Sequence, residues 1–316
     1  MKLLLNFILS ISMFLYGIEL FSNSLGNIET RIKTILENYT NSPKRGIFLG
    51  TILTSIVQSS SIVMIITIGL VNSNVISFHS SLGIMMGSNL GTCITSWITS
   101  FMSKETISNS LLNMNTYIPI LFFLGLLLYF KERKRLSSLF IGYALFLFGL
   151  YQMQTTLHPI MEYSWFKELM NCLKNPILGI LIGVVTTCLV QSSSATIAIL
   201  QTISNKKKLT YYMATPIILG ENIGSCITTL ISCIHTNKNA KKVALSHLFY
   251  NIIGTFIFIL LFYIFDFFKL NFLNYQVNSN SIALIHTLFN FLSILIFFPF
   301  LNSFESFINK IVKDKY

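Results

Sequence analysis

The sequence predicts an all-α polytopic membrane protein built from inverted-topology repeats. Three observations carry that expectation. Of 316 residues, 53% are of the AVILMFWYC class and 10% are charged, with a mean hydropathy of +0.68. A soluble domain carries roughly 25% charged residues, so this composition excludes a soluble enzyme, a disordered chain and a coiled coil. Several stretches reach the ~20 apolar residues that a helix needs to cross a hydrocarbon core. The chain also repeats itself. At a shift of 133 residues, Gln58-Ser59-Ser60-Ser61 falls on Gln191-Ser192-Ser193-Ser194. With no gap, Gly87, Asn89, Gly91, Cys93, Ile94 and Thr95 fall on Gly220, Asn222, Gly224, Cys226, Ile227 and Thr228.

The elements follow in order. Residues 3–22 read as the first crossing, not a signal peptide: there is one Lys, no small-residue cleavage site, and Glu19 near the end. The stretch 27–39 mixes Glu29, Arg31, Lys33 and Glu37 with Ile and Leu, as an interfacial helix does. Crossings are expected at 82–101, 117–130 (short), 137–156, 213–234, 243–265 and 281–300. Two more stretches, 47–71 and 177–204, are apolar but interrupted by the Gln-Ser-Ser-Ser runs, and read as re-entrant helical hairpins. The total is about seven full crossings plus two hairpins. Residues 14–25 also resemble 146–157, so each half reads as helix, QSSS hairpin and broken G-x-N-x-G helix. The expected division is a first repeat at 1–136, a second at 137–265, and a C-terminal helix with a short cytoplasmic tail at 266–316. Three crossings between the equivalent first helices invert the second half, as in secondary transporters.

Charge sets the orientation. The cluster Lys131-Glu132-Arg133-Lys134-Arg135 is expected in the cytoplasm. Loops 23–46, 235–242 and 301–316 then lie on the same side, and with the loop 131–136 they hold 14 of the 22 Lys and Arg residues. Lys206-Lys207-Lys208 dissents by falling outside. The net charge of +11 needs no nucleic-acid partner. The five cysteines, Cys93, Cys172, Cys188, Cys226 and Cys233, form no C-x-x-C pair and read as small core residues.

Four consecutive polar residues at membrane depth are costly unless something pairs with them. A serine-rich tip at a helix start presents unpaired backbone N–H groups, hydroxyl donors and the positive end of a helix dipole, which together suit an anion. Serine runs also serve helix packing, but two at matched positions, each behind a Gln, favour one shared ligand site. The segments Gly87-Ser88-Asn89-Leu90-Gly91-Thr92 and Gly220-Glu221-Asn222-Ile223-Gly224-Ser225 could break a helix and expose oxygens to a hard cation. Their glycines could equally mark close helix contacts. Glu221 could hold a cation, carry a coupled proton, or sit solvated at a helix end. His247 with Asn251, and His286 with Asn290, share a helix face at i and i+4 and read as interhelical bonding groups. Too few ligands stand near them for a metal site. Trp97 and Trp165 read as interface anchors.

The paired QSSS runs, each followed by GSNLGTCIT or GENIGSCIT, resemble the type II sodium–phosphate cotransporter family in its bacterial branch. The H-x-x-F-N-like segments add to the resemblance, which spans about Phe14 to Pro299. It implies sodium-coupled phosphate transport with Gln58, Ser59, Ser60, Ser61, Gln191, Ser192, Ser193 and Ser194 as the core site. Asn89, Thr92, Thr95, Asn222, Ser225 and Thr228 form a second tier beside Glu221, and sodium would bind through these Gln, Ser, Thr and Asn positions. Departures from the family pattern are Leu90 for Ile, Cys93 and Cys226 for Thr, Ser225 for Thr, and Glu221 for a small residue. A C-terminal domain resembling the phosphate-uptake regulator PhoU is expected to be missing.

The expected protein is thus a multi-pass transporter of the cell membrane, not an enzyme. Its partners are inorganic phosphate, sodium and the lipid bilayer, with a homodimer as the candidate assembly. No cofactor is expected beyond sodium as the coupling ion. The rival readings are an anion channel, or a transporter of another oxyanion such as sulfate, on the same scaffold.

Overall fold

The computed structural model describes residues 2–24, 28–102, 114–205, 209–269 and 271–312. Lys206-Lys207-Lys208 lie outside them. The described residues are helical almost throughout: α1 (Lys2–Ser24), α2 (Ile28–Tyr39), α3 (Pro43–Val57), α4 (Ser60–Asn72), α5 (Phe78–Met102), α6 (Met114–Phe130), α7 (Lys134–Ile160), α8 (Ser164–Cys172), α9 (Pro176–Val190), α10 (Ser193–Ser204), α11 (Tyr211–Gly224), α12 (Cys226–Ser232), α13 (Lys238–Phe267), α14 (Ser279–Phe297) and α15 (Leu301–Ile311). Among them the one extended contact is an isolated bridge between Thr210 and Gln276.

Five helical stretches are long and apolar enough to cross a membrane: 2–24, 134–157, 211–232, 238–267 and 279–311. A sixth arises if α8 and α9, bent by 117° at their junction, count as one. Two further expected crossings exist as helices with weaker signals. α5 has the length, 25 residues, but is rich in Ser, Thr, Gly and Asn, and α6 has 17 residues. The chain is a multi-pass integral protein of the cell membrane.

The 133-residue shift reappears in the helix ends. α3 and α9 both start on a Pro, Pro43 and Pro176, and both end on a Val, Val57 and Val190. Proline suits the first helical turn because its missing N–H would be unpaired there anyway. α2 and α8 precede them as short amphipathic helices. Ile32 and Leu36 of α2 are fully buried in one core with α3, α4, α5 and α13, and Phe166 of α8 is buried in another with α10, α11 and α14. α1 lies along α7, packed through Phe14 and Phe146 with ring centroids 5.0 Å apart.

The expected break is corrected at the first G-x-N-x-G motif; at the second the helix is interrupted only at Ser225. α5 runs through Gly87 and Gly91 as one helix. α11 passes into α12 at Ser225, whose φ of −63° and ψ of −20° remain right-handed helical. The glycines instead admit a neighbouring backbone. A methyl group at Gly87 would overlap the Ile47 carbonyl oxygen of α3, and one at Gly220 would overlap the Ile180 carbonyl oxygen of α9. Close contact of paired helices therefore explains the motif.

Candidate functional site

Each QSSS run interrupts its helix in the same way. Gln58 closes α3 at φ 58°, ψ 24°, and Gln191 closes α9 at φ 53°, ψ 25°. This left-handed region is uncommon for residues other than Gly, so the backbone is strained at matched points. The next serine is extended and caps the following helix. Ser59 Oγ accepts from Ile62 N–H at 3.3 Å, and Ser192 Oγ accepts from Ala195 N–H at 3.2 Å. The chain reverses at this turn. Thr187 and Thr196 would stand about 13 Å apart along a straight helix, yet their hydroxyls are 3.0 Å apart. The first tip has the same dihedral angles.

The two tips meet. Gln58, Ser59, Ser60, Ser61 and Gln191, Ser192, Ser193, Ser194 all line one cavity of about 200 Å³. Water occupies about 30 Å³ per molecule in the liquid, so a tetrahedral oxyanion fits with water to spare. α4 and α10 both point their N-termini into this space, with their first N–H groups, serine hydroxyls and dipoles. The remaining wall comes from α1: Leu15, Ile18, Glu19, Ser22 and Asn23, with Ile62 of α4. Among the described residues lining the cavity there is no Lys or Arg, and Glu19 is the one ionisable side chain. Sequence reasoning missed Glu19 as a site residue, although an acid inside an apolar helix is itself a signal.

Thr95 and Thr228 brace the tips. Thr95 Oγ1 donates to Gln58 Oε1 at 2.7 Å, and Thr228 Oγ1 lies 3.3 Å from Ser61 Oγ, joining the second half to the tip of the first. Gln58 Nε2 also donates to the Ser55 carbonyl. Asn89, Thr92, Asn222, Ser225 and Glu221 do not line the cavity. Thr92 and Ser225 donate to carbonyls one turn back on their own helices, at 2.6 and 2.7 Å. Asn89 Nδ2 donates to Asn251 Oδ1 at 3.1 Å, and its Oδ1 lies 3.0 Å from His247 Nε2.

The histidines bond between helices. His247 Nδ1 lies 2.9 Å from Thr229 Oγ1, and His286 Nδ1 lies 2.8 Å from Ser96 Oγ. Thr229 and Ser96 are themselves related by the 133-residue shift. Trp97, expected as a lipid-interface anchor, instead donates to Thr287 at 3.0 Å. Cys93, Cys226 and Cys233 are buried free thiols, Cys188 is half-buried and Cys172 is exposed.

The family model for the Na+/Pi-cotransporter matches residues 13–155 and again residues 145–274. The chain belongs to the Na+/Pi-cotransporter family. It is 28% identical over 259 residues to the uncharacterised protein YqeW of Bacillus subtilis (strain 168), covering 80% of this chain and 81% of that one. It is 22% identical over 263 residues to YjbB of Escherichia coli O157:H7, whose name assigns it provisionally to inorganic phosphate export. That match covers 81% of this chain and 46% of YjbB, so the chain spans less than half of that relative. A segment of 61 residues is 46% identical to the human sodium-dependent phosphate transport protein 2B, covering 19% of this chain and 9% of that one. No solved structure matches the chain significantly.

Proposed function

We propose that this member of the Na+/Pi-cotransporter family is a secondary active transporter that couples sodium movement to inorganic phosphate transport. The observation that carries the reading is the charge balance of the cavity. Two helix N-termini and their serines offer an anion many donors, yet the described lining holds no fixed cation and does hold Glu19. Phosphate there would add its negative charge to that of the carboxylate in a partly desolvated space. Dipoles and hydroxyls alone offset such charge poorly. A mobile cation binding alongside resolves the conflict, and each ion then raises the affinity for the other.

Sodium fits best near Glu19 and the side-chain oxygens of Gln58 and Gln191. We do not assign it to Asn89, Thr92, Asn222 or Ser225, which lie off the cavity wall and are bonded within the protein. The tip serines hold the phosphate. Because the tips belong to opposite halves of the chain, a relative movement of the halves would carry the site between the two membrane faces.

Tracer uptake into proteoliposomes tests the reading, using phosphate and sulfate, each with and without a sodium gradient. Phosphate accumulation that requires the gradient is the expected result. Transport indifferent to sodium would overturn the coupling, and preference for sulfate would overturn the substrate. A conductance far above carrier turnover would make the protein a channel.

A further inference from the structure

The two halves of the chain hold their tips differently. In the first half, three side-chain contacts tie α3, the arm that leads to the tip, to α5. Thr54 Oγ1 lies 2.9 Å from Ser88 Oγ, Ser55 Oγ reaches the Gly91 carbonyl at 3.4 Å, and Thr95 Oγ1 donates to Gln58 Oε1 at 2.7 Å. The 133-residue shift carries these pairs to Thr187 with Glu221, Cys188 with Gly224, and Gln191 with Thr228. None is kept in the same form. Thr187 bonds Thr196 of its own hairpin at 3.0 Å, and Cys188 Sγ makes a long thiol contact of 3.7 Å to the Gly224 carbonyl. Thr228 Oγ1 donates to the Ser225 carbonyl at 3.1 Å and lies 3.3 Å from Ser61 Oγ, in the other half. Among the described residues, no hydrogen bond holds the side chain of Gln191 or Ser194.

Proton counting gives these bonds a direction. A hydroxyl has one proton to donate. Thr228 gives its proton to Ser225, so Ser61 O–H is the donor to Thr228 Oγ1. Both threonines therefore serve the first tip: Thr95 holds Gln58, and Thr228 holds Ser61. The helices carry the same asymmetry. α5 passes Thr92 unbroken, whereas its counterpart is interrupted at Ser225, the matching position.

We propose that Thr95 and Thr228 are positioning residues that exchange tips as the cavity changes sides. In the mirror state each threonine takes the other's part. Thr228 donates to Gln191 Oε1, Thr95 donates to the Thr92 carbonyl, and Ser194 O–H donates to Thr95 Oγ1. Three hydrogen bonds break and three matching ones form, so neither state is held by a surplus. A pair of states balanced in this way responds to a ligand that favours one of them. Ser61 and Ser194 both line the cavity. In each state one of them has its proton committed to a threonine, and the other is free to donate to an anion. The glycine contacts of α3 with α5 and of α9 with α11 are alike in the two halves, so the exchange needs only the tips and threonines to move. Because the repeats are inverted, the mirror state presents the cavity to the opposite membrane face. The exchange gives the proposed transporter its change of sides and rests on that reading.

Disulfide trapping in the full chain, in proteoliposomes, tests it. Ser61→Cys with Thr228→Cys reports the state seen in the structure, and Thr95→Cys with Ser194→Cys reports the mirror state. Mass spectrometry of the digested protein separates each new disulfide from the five native cysteines. Both pairs should cross-link under a mild oxidant. Added to the second pair, Ser61→Ala removes a bond present only in the first state and should speed cross-linking by about two- to tenfold. Gln191→Leu removes a bond present only in the mirror state and should slow it by a similar factor. A merely structural role would not move one rate in opposite directions. A second pair that never cross-links, or a rate that neither substitution changes, would overturn the proposal. If a cysteine pair fails to fold, the wild type still decides. Magnetic resonance of its isotope-labelled glutamine side chains should give two signals each for Gln58 and Gln191, with complementary populations, and one signal apiece would overturn the exchange. Phosphate uptake is measured in parallel. Cross-linking as expected in a chain whose wild type moves no phosphate leaves the exchange standing and removes the transport reading. Sodium-driven uptake by the wild type, with a second pair that never cross-links, overturns the exchange alone.

Discussion

Replacing Ser60 by Ala separates binding from folding at the first tip. Ser60 is the first residue of α4 and lines the cavity half-buried, while the capping of that helix falls to Ser59. The substitution removes one hydroxyl donor to the anion and leaves the backbone N–H groups in place. A hydrogen bond to a charged group is worth about 1.5–3 kcal/mol. At about 1.4 kcal/mol per decade, phosphate should bind roughly 10- to 150-fold more weakly. The hydroxyl reaches open space, so stability should change by less than about 0.5 kcal/mol. Titration calorimetry of the detergent-solubilised protein gives the affinity, and thermal unfolding gives the stability. Ser59→Ala is the comparison that should also lose stability, since losing a helix cap costs about 1 kcal/mol. Phosphate affinity within about twofold of wild type in Ser60→Ala would refute a direct contact, because a lost charge-assisted bond cannot be that small.

Other positions give sharp expectations. Gly220→Ala forces a methyl onto the Ile180 carbonyl of α9. It should destabilise by about 1–3 kcal/mol, and an unchanged melting temperature would mean that α9 and α11 do not pack this closely. Asn89→Ala orphans His247 Nε2 and Asn251 Oδ1, at about 1–3 kcal/mol each. Asn290→Ala removes an oxygen with no partner and an amide that donates to the His286 carbonyl of its own helix at 3.0 Å and to Cys93 Sγ at 3.7 Å, so it should lower the melting temperature less, and equal losses would contradict this difference between Asn89 and Asn290. Glu19→Gln should raise the sodium concentration that half-activates phosphate uptake by several-fold. An unaltered sodium dependence would remove Glu19 from the cation site.

Much of this site was legible because a repeat doubles every signal. A single Ser-Ser-Ser run fits helix packing as well as ligand binding. Two runs at one shift, each behind a Gln, pointed to paired tips, and both line one cavity. The positive φ of Gln58 and Gln191 was not legible, since glutamine has no preference for that region. It is imposed by the reversal, with Ser59 and Ser192 capping the helices that follow. The G-x-N-x-G motifs were open between a helix break and a close contact. What decides between them is the backbone opposite Gly87 and Gly220, supplied by α3 and α9, about 40 residues earlier in the chain. Local sequence does not report which helix will lie across a glycine. Glu19 went unread for a similar reason. An acid near the end of an apolar helix looks solvated until α1 is seen to form a wall of the cavity.

The central claim is that one anion is held between two serine tips, and a structure determined with phosphate and sodium bound tests it most directly. The account predicts tetrahedral density within hydrogen-bonding distance of both Ser60 and Ser193, with the amide ends of α4 and α10 pointing at it. Phosphate seated elsewhere, held by one tip alone, or missing from the cavity at saturating concentration would contradict it.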